Sequence, residues 1–102
     1  MYRVYECEIS KKTEIMKILE ADPYAEDSFA RVGYKAKDGS VLDEDKDKMY
    51  IYLSTSEEFV KKADERLKEI AKPASKEVEE RIGGKIRAEE EQAESGLGSI
   101  FG

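Results

Sequence analysis

Leu97, Ile100 and Phe101 stand at i, i+3 and i+4 among glycines, directly after a run of carboxylates at Glu89, Glu90, Glu91 and Glu94. The chemistry such a trio offers is docking. One helical turn puts all three side chains on one face, the form in which a short peptide enters a hydrophobic groove. They are expected to form the free end of a very polar chain, with no later residue to cover them. Gly96 and Gly98 disfavour a free helix, so segment 95–102 is expected to be flexible alone and to fold on its partner. Burying the three side chains is worth ~1.5–3 kcal/mol each, and ordering the segment offsets several kcal/mol, which leaves an affinity near ~1 μM. Such a contact is transient and exchangeable. The glutamates before it would steer it toward a basic groove.

Other residues invite chemistry less strongly. The chain has no histidine, which removes the commonest general base and transition-metal ligand. No Gly-rich loop follows a strand, and 24 acidic residues make accidental carboxylate pairs inevitable. The expectation is therefore a protein that is not an enzyme and has no cofactor. Cys7 is the only cysteine, so neither an internal disulfide nor a zinc cluster can form, and a buried structural thiol is expected. Asp43, Asp45 and Asp47 have the spacing of the first calcium-loop ligands. Lys48 stands where that loop needs glycine, the closing glutamate is missing, and Lys46 and Lys48 neutralise the site, so the stretch reads as a solvated hairpin loop. No metal site is expected. Tyr50 and Tyr52 share one strand face, with Lys35 expected on the adjacent strand. Exposed aromatics and cations of this kind form an RNA-stacking platform. A net charge of −6 favours cross-strand tyrosine packing or a homodimer face instead.

The elements that carry these residues follow from periodicity. Tyr5, Cys7 and Ile9 alternate with Glu6 and Glu8 as a strand. Ser10 is read as the cap of a helix with Ile15, Ile18 and Leu19 inward, ending before Pro23. Ala30, Val32, Tyr34 and Ala36 read as a second strand that ends at Asp38-Gly39. Met49, Ile51 and Leu53 mark a third. The pairs Ser54/Glu57 and Thr55/Glu58 have capping-box spacing ahead of a helix with Phe59, Val60, Ala63, Leu67 and Ile70 inward, ending near Pro73. Ser75 can cap a last helix on Val78, Ile82 and Ile86, kinked or split at Gly83-Gly84 and fraying beyond Ala88. The fold class expected is α+β. It is a small, mainly antiparallel, three-stranded sheet covered by two helices in ferredoxin-like order, plus a C-terminal helix and a flexible tail. Residues 85–88 could supply a fourth strand, although Glu and Gly there argue against it, and the open edge left by a missing strand would favour a homodimer. The divisions are an α+β domain over 1–72, a charged helical extension over 73–94 and a docking tail over 95–102.

The tail resembles that of archaeal ribosomal stalk proteins, whose Glu/Lys-rich hinge leads into Gly-Leu-Gly-small-Leu/Ile-Phe-Gly. Gly96, Leu97, Gly98, Ile100, Phe101 and Gly102 fit that form, with Ser99 in the small position. The preceding residues do not look like the stalk dimerisation domain. In that family the segment recruits translational GTPases, so the resemblance implies a ribosome-associated adaptor with Leu97, Ile100, Phe101, Gly96 and Gly98 as partner-binding residues. Read from Glu94 through Leu97 to Ile100-Phe101, the tail also loosely resembles a sliding-clamp-binding box, without the usual Gln or second aromatic. At 102 residues, 39% hydrophobic and 41% charged, the chain suits one soluble domain. No apolar stretch is long enough to span a bilayer and no signal-peptide pattern is present, so a cytoplasmic protein that binds no membrane is expected.

Overall fold

A computed structural model describes the backbone of residues 2–101 and the side chains of residues 2–89. Strand β1 (Tyr2–Glu8) leads through a 3-10 turn (Ile9–Lys11) into helix α1 (Lys12–Glu20). A short helix α2 (Phe29–Val32) precedes the hairpin of β2 (Lys35–Asp38) and β3 (Lys48–Ser54). Helix α3 (Glu57–Leu67), strand β4 (Ala71–Pro73) and the long helix α4 (Lys76–Phe101) complete the order. The four strands form one sheet in the order β2-β3-β1-β4, with every neighbouring pair antiparallel.

Strand alternation divides the core into two clusters. Tyr5, Cys7, Met49, Ile51 and Leu53 join Ile15, Leu19, Phe29, Phe59, Ala63 and Leu67 from α1, α2 and α3. Val4, Tyr50 and Tyr52 point the other way and join Leu42 with Ile82 and Ile86 of α4. β3 is buried on both faces because it lies inside the sheet between these clusters. Cys7 is buried in the first cluster, as expected for a structural thiol.

Several local expectations are corrected. Residues 29–32 form a helical turn, not the start of a strand. The Ser28 hydroxyl accepts from the Arg31 N–H at 3.1 Å and donates to the Pro23 carbonyl at 3.1 Å, and Gly33 at φ +91° then releases the chain into β2. The α3 cap is Ser56, whose hydroxyl accepts from Phe59 N–H at 3.2 Å, and not Ser54 or Thr55. α1 has no side-chain cap, since Ser10 lies within the 3-10 turn that precedes it. The fourth strand comes from Ala71–Pro73 and not from 85–88, which lie inside α4. Pro73 is tolerated there. Ala74 N–H donates to the Val4 carbonyl, so the Tyr5–Pro73 pair is a non-hydrogen-bonded one, and the missing donor faces outward from an edge strand. α4 runs through Gly83-Gly84 as one helix and continues to Phe101. No helix among the described residues is long and apolar enough to cross a membrane.

Candidate functional site

The first turns of α4 lie across the tyrosine face of the sheet, and the contacts that seat them are built from all levels of the chain. Ser75 caps the helix through the Val78 N–H at 3.3 Å. Spacing i, i+4, i+8 turns Val78, Ile82 and Ile86 toward Val4, Tyr50, Tyr52 and Leu42. Gly83 permits the close approach: a Cβ there would sit 2.9 Å from Cε2 of the Tyr2 ring. Gly84, one residue on, meets nothing within 4 Å.

Polar clamps flank this apolar seam. Glu44, from the β2–β3 connection, takes a bidentate pair from Arg81 (2.8 Å from Nε and 2.7 Å from Nη2) and a third bond from Lys85 Nζ at 2.6 Å. Lys85 also donates to the Leu42 carbonyl at 2.7 Å. These donors hold the Glu44 carboxyl well below the ordinary range, at about 2. On the opposite flank Glu79 accepts from the Val4 N–H at 3.2 Å and lies 3.8 Å from Arg3. The Arg87 guanidinium lies 4.5 Å from the Tyr2 ring centroid, and the Tyr2 ring stands 5.8 Å from that of Tyr52. Hydrogen bonds from Arg87 to the Tyr2 and Tyr52 hydroxyls raise the guanidinium pKa further.

This geometry decides where the sequence-derived candidates lie. Tyr50 and Tyr52 are only 3% and 7% exposed, covered by α4, so their rings are not an open stacking platform in this fold. Burial, with Glu6 and Glu44 adding to it, pushes the Tyr50 hydroxyl up to about 12. Lys35 pairs in register with Tyr52 but stays exposed at the sheet edge. The side chains of Leu97, Ile100 and Phe101, and the positions Gly96 and Gly98, lie outside the described side chains. The sequence assigns no role to Glu44 or Arg87, and Gly83 reads there only as a kink or break in the last helix. The one available signal was the i, i+4 pair Arg81/Lys85, which asks for an acidic partner without saying where it comes from.

A cleft of about 400 Å³ at the end of β1 has Cys7 on its wall, with Glu6, Glu8, Lys11 and Lys48 beside it. Burial pushes the Cys7 thiol up to about 11, which keeps it protonated and unreactive. Asp47 N–H donates to the Asp45 carboxylate at 2.9 Å, an internal turn bond in the aspartate-rich loop. Among the described residues no group of three or more His, Cys, Asp or Glu is placed to hold a metal ion. No protein-family model matches the chain, and neither a curated protein nor a solved structure matches it.

Proposed function

We propose that this chain is a non-enzymatic adaptor of the translation apparatus, in which a small α+β body holds α4 and the segment 95–102 docks in the groove of a translational GTPase or a related factor. The observation that carries the reading is the run Gly96-Leu97-Gly98-Ser99-Ile100-Phe101-Gly102, with its i, i+3, i+4 apolar trio behind an acidic approach. The resemblance to the archaeal stalk tail supplies the partner class and suggests a cytoplasmic setting.

Two structural features support a carrier role for the body. α4 is seated by Ile82, Ile86 and the Glu44 clamp, so the segment extends from a helix with a fixed base. The element order and the strand order β2-β3-β1-β4 suit a ferredoxin-like β-α-β-β-α-β fold, with α4 added on the second face. We read the body in those terms.

The test is direct binding to a purified translational elongation GTPase, followed by titration calorimetry. The intact chain is expected to bind near ~1 μM, and Phe101→Ala to weaken binding about thirtyfold as the loss of a central anchor. Deleting residues 95–102 is expected to abolish it. Equal binding with and without the segment would discard the proposal. Competition by a sliding-clamp peptide-binding protein, with no GTPase binding, would move the partner to replication.

A further inference from the structure

The two faces of the sheet are covered by unequal means. On one face Ile15 and Leu19 of α1, Phe29 of α2, and Phe59 and Leu67 of α3 share a single buried cluster. On the other, α4 is the only helix among the described residues that joins the cluster. Ile82 and Ile86 are its buried apolar side chains there, with Val78 partly buried beside them. Gly83 and Gly84 stand between those isoleucines and lower the helix's own stability. The outward residues Lys76, Glu77, Glu80, Arg81 and Arg87 are exposed. Lifting α4 would therefore bare one narrow stripe and leave the opposite core in place.

Charge supplies the rest of the seat. Arg81 and Lys85 reach Glu44 of the β2–β3 connection, and Glu79 reaches Arg3 and the Val4 N–H of β1. Arg87 reaches the Tyr2 ring and the hydroxyls of Tyr2 and Tyr52. The side chains of Arg81 and Lys85 are 44% and 35% exposed, and a cleft of about 350 Å³ between Val41, Leu42 and Ala88 opens beside Lys85. Dissolved ions therefore reach these contacts and screen them. Apolar burial is not weakened by salt in this way. The chain entering α4 also has a natural pivot. Ala74 N–H ties to the Val4 carbonyl at 2.9 Å, exposed Ser75 follows, and the helix begins at Lys76.

We infer that α4 is an ionically latched strap, closed over the Tyr2, Tyr50 and Tyr52 face by its contacts to Glu44, Arg3 and Tyr2. When those contacts are screened, the strap swings open about Ala74–Ser75 as one unit, while the core under α1, α2 and α3 stays folded. The device converts the ionic surroundings into exposure of an aromatic sheet face. Closed, the strap gives α4 its fixed base; open, it frees the helix from the body. None of residues 90–102 enters the inference, so it stands independently of the tail reading.

The chain carries its own probes for a test. Tyr50 and Tyr52 lie under α4, Tyr5 and Cys7 lie in the opposite core, and Tyr24 is 91% exposed as an internal standard. The full chain is nitrated with tetranitromethane at about 0.05 M and about 1 M sodium chloride, and modified residues are located by peptide mass spectrometry. Relative to Tyr24, the nitration rate of Tyr50 and Tyr52 is expected to rise about tenfold at high salt, with Tyr5 and Cys7 unmodified. Glu44→Gln should raise it about thirtyfold at low salt, and the surface variant Arg81→Gln should act in the same direction. The salt series on the unaltered chain needs no variant to fold. The inference is overturned if Tyr50 and Tyr52 stay as unreactive as Tyr5 at both salt concentrations. Reaction of Tyr5 and Cys7 in step with Tyr50 and Tyr52 would overturn it too, because the whole body and not the strap would then be opening.

Discussion

Glu44 shows how one carboxylate can organise a distant element. Its side chain is 9% exposed, yet it accepts three charged hydrogen bonds from Arg81 and Lys85, 37 and 41 residues away. A buried carboxylate lacking partners would be costly, so the value of the cluster lies in giving both of its oxygens a charged donor. The folded pKa of about 2 lies below the ordinary 4.5. The stabilisation is therefore complete above about 4.5 and is lost as the pH falls through the folded value. Glu44→Gln is expected to lower unfolding stability by ~2 kcal/mol at neutral pH, discounted for the solvent around the two cations. Urea titrations followed by tyrosine fluorescence should show that gap closing as the pH approaches 2. A gap that persists unchanged would mean that the side chain's shape, and not its charge, seats α4. Tyr5 is a contrasting case: its hydroxyl donates to Asp64 at 2.5 Å, and burial keeps it neutral, tying β1 to α3.

The helix that Glu44 holds carries two glycines with opposite roles. Gly83 faces the Tyr2 ring, where a Cβ would meet Cε2 at 2.9 Å, whereas Gly84 faces open space. Gly84→Ala is expected to stabilise the protein by ~0.5–1 kcal/mol, the ordinary helix-propensity gain. Gly83→Ala should gain nothing or lose stability, because the ring must leave its place under Arg87. Thermal melts of both variants separate the cases, and equal gains would mean that Tyr2 moves aside freely. The same helix marks where sequence reading works and where it stops. Met49, Ile51 and Leu53 announced β3, and the Phe59, Val60, Ala63, Leu67 stripe announced α3, because each pattern reports burial against a continuous neighbour. Ala30, Val32, Tyr34 and Ala36 also alternate, but the Ser28 cap and Gly33 decide that stretch locally, so β2 starts only at Lys35. β4 was hidden since three residues containing Lys72 and Pro73 carry no periodicity. The covering of Tyr50 and Tyr52 was hidden too. Val78, Ile82 and Ile86 make a narrow stripe, and the clamps that complete the seat join residues far apart in sequence.

Taken as a whole, the molecule is a four-stranded sheet with a core on each face, and the distribution of those cores separates folding from docking. Every core residue among the described ones lies at or before Ile86. The capping of α4 by Ser75 and the clamps on Glu79, Arg81 and Lys85 also fall before Glu89. A chain ending at Glu89 is therefore expected to keep its melting temperature within about 3 °C, since it retains every described core residue and clamp. Binding to a translational GTPase should vanish in the same preparation, which makes the truncation a single experiment with two readouts. A fall of more than about 8 °C would mean that residues 90–102 contribute a packed surface to the body. In that event Leu97, Ile100 and Phe101 would belong to this fold's own hydrophobic seam, and a partner would have to compete with it for them.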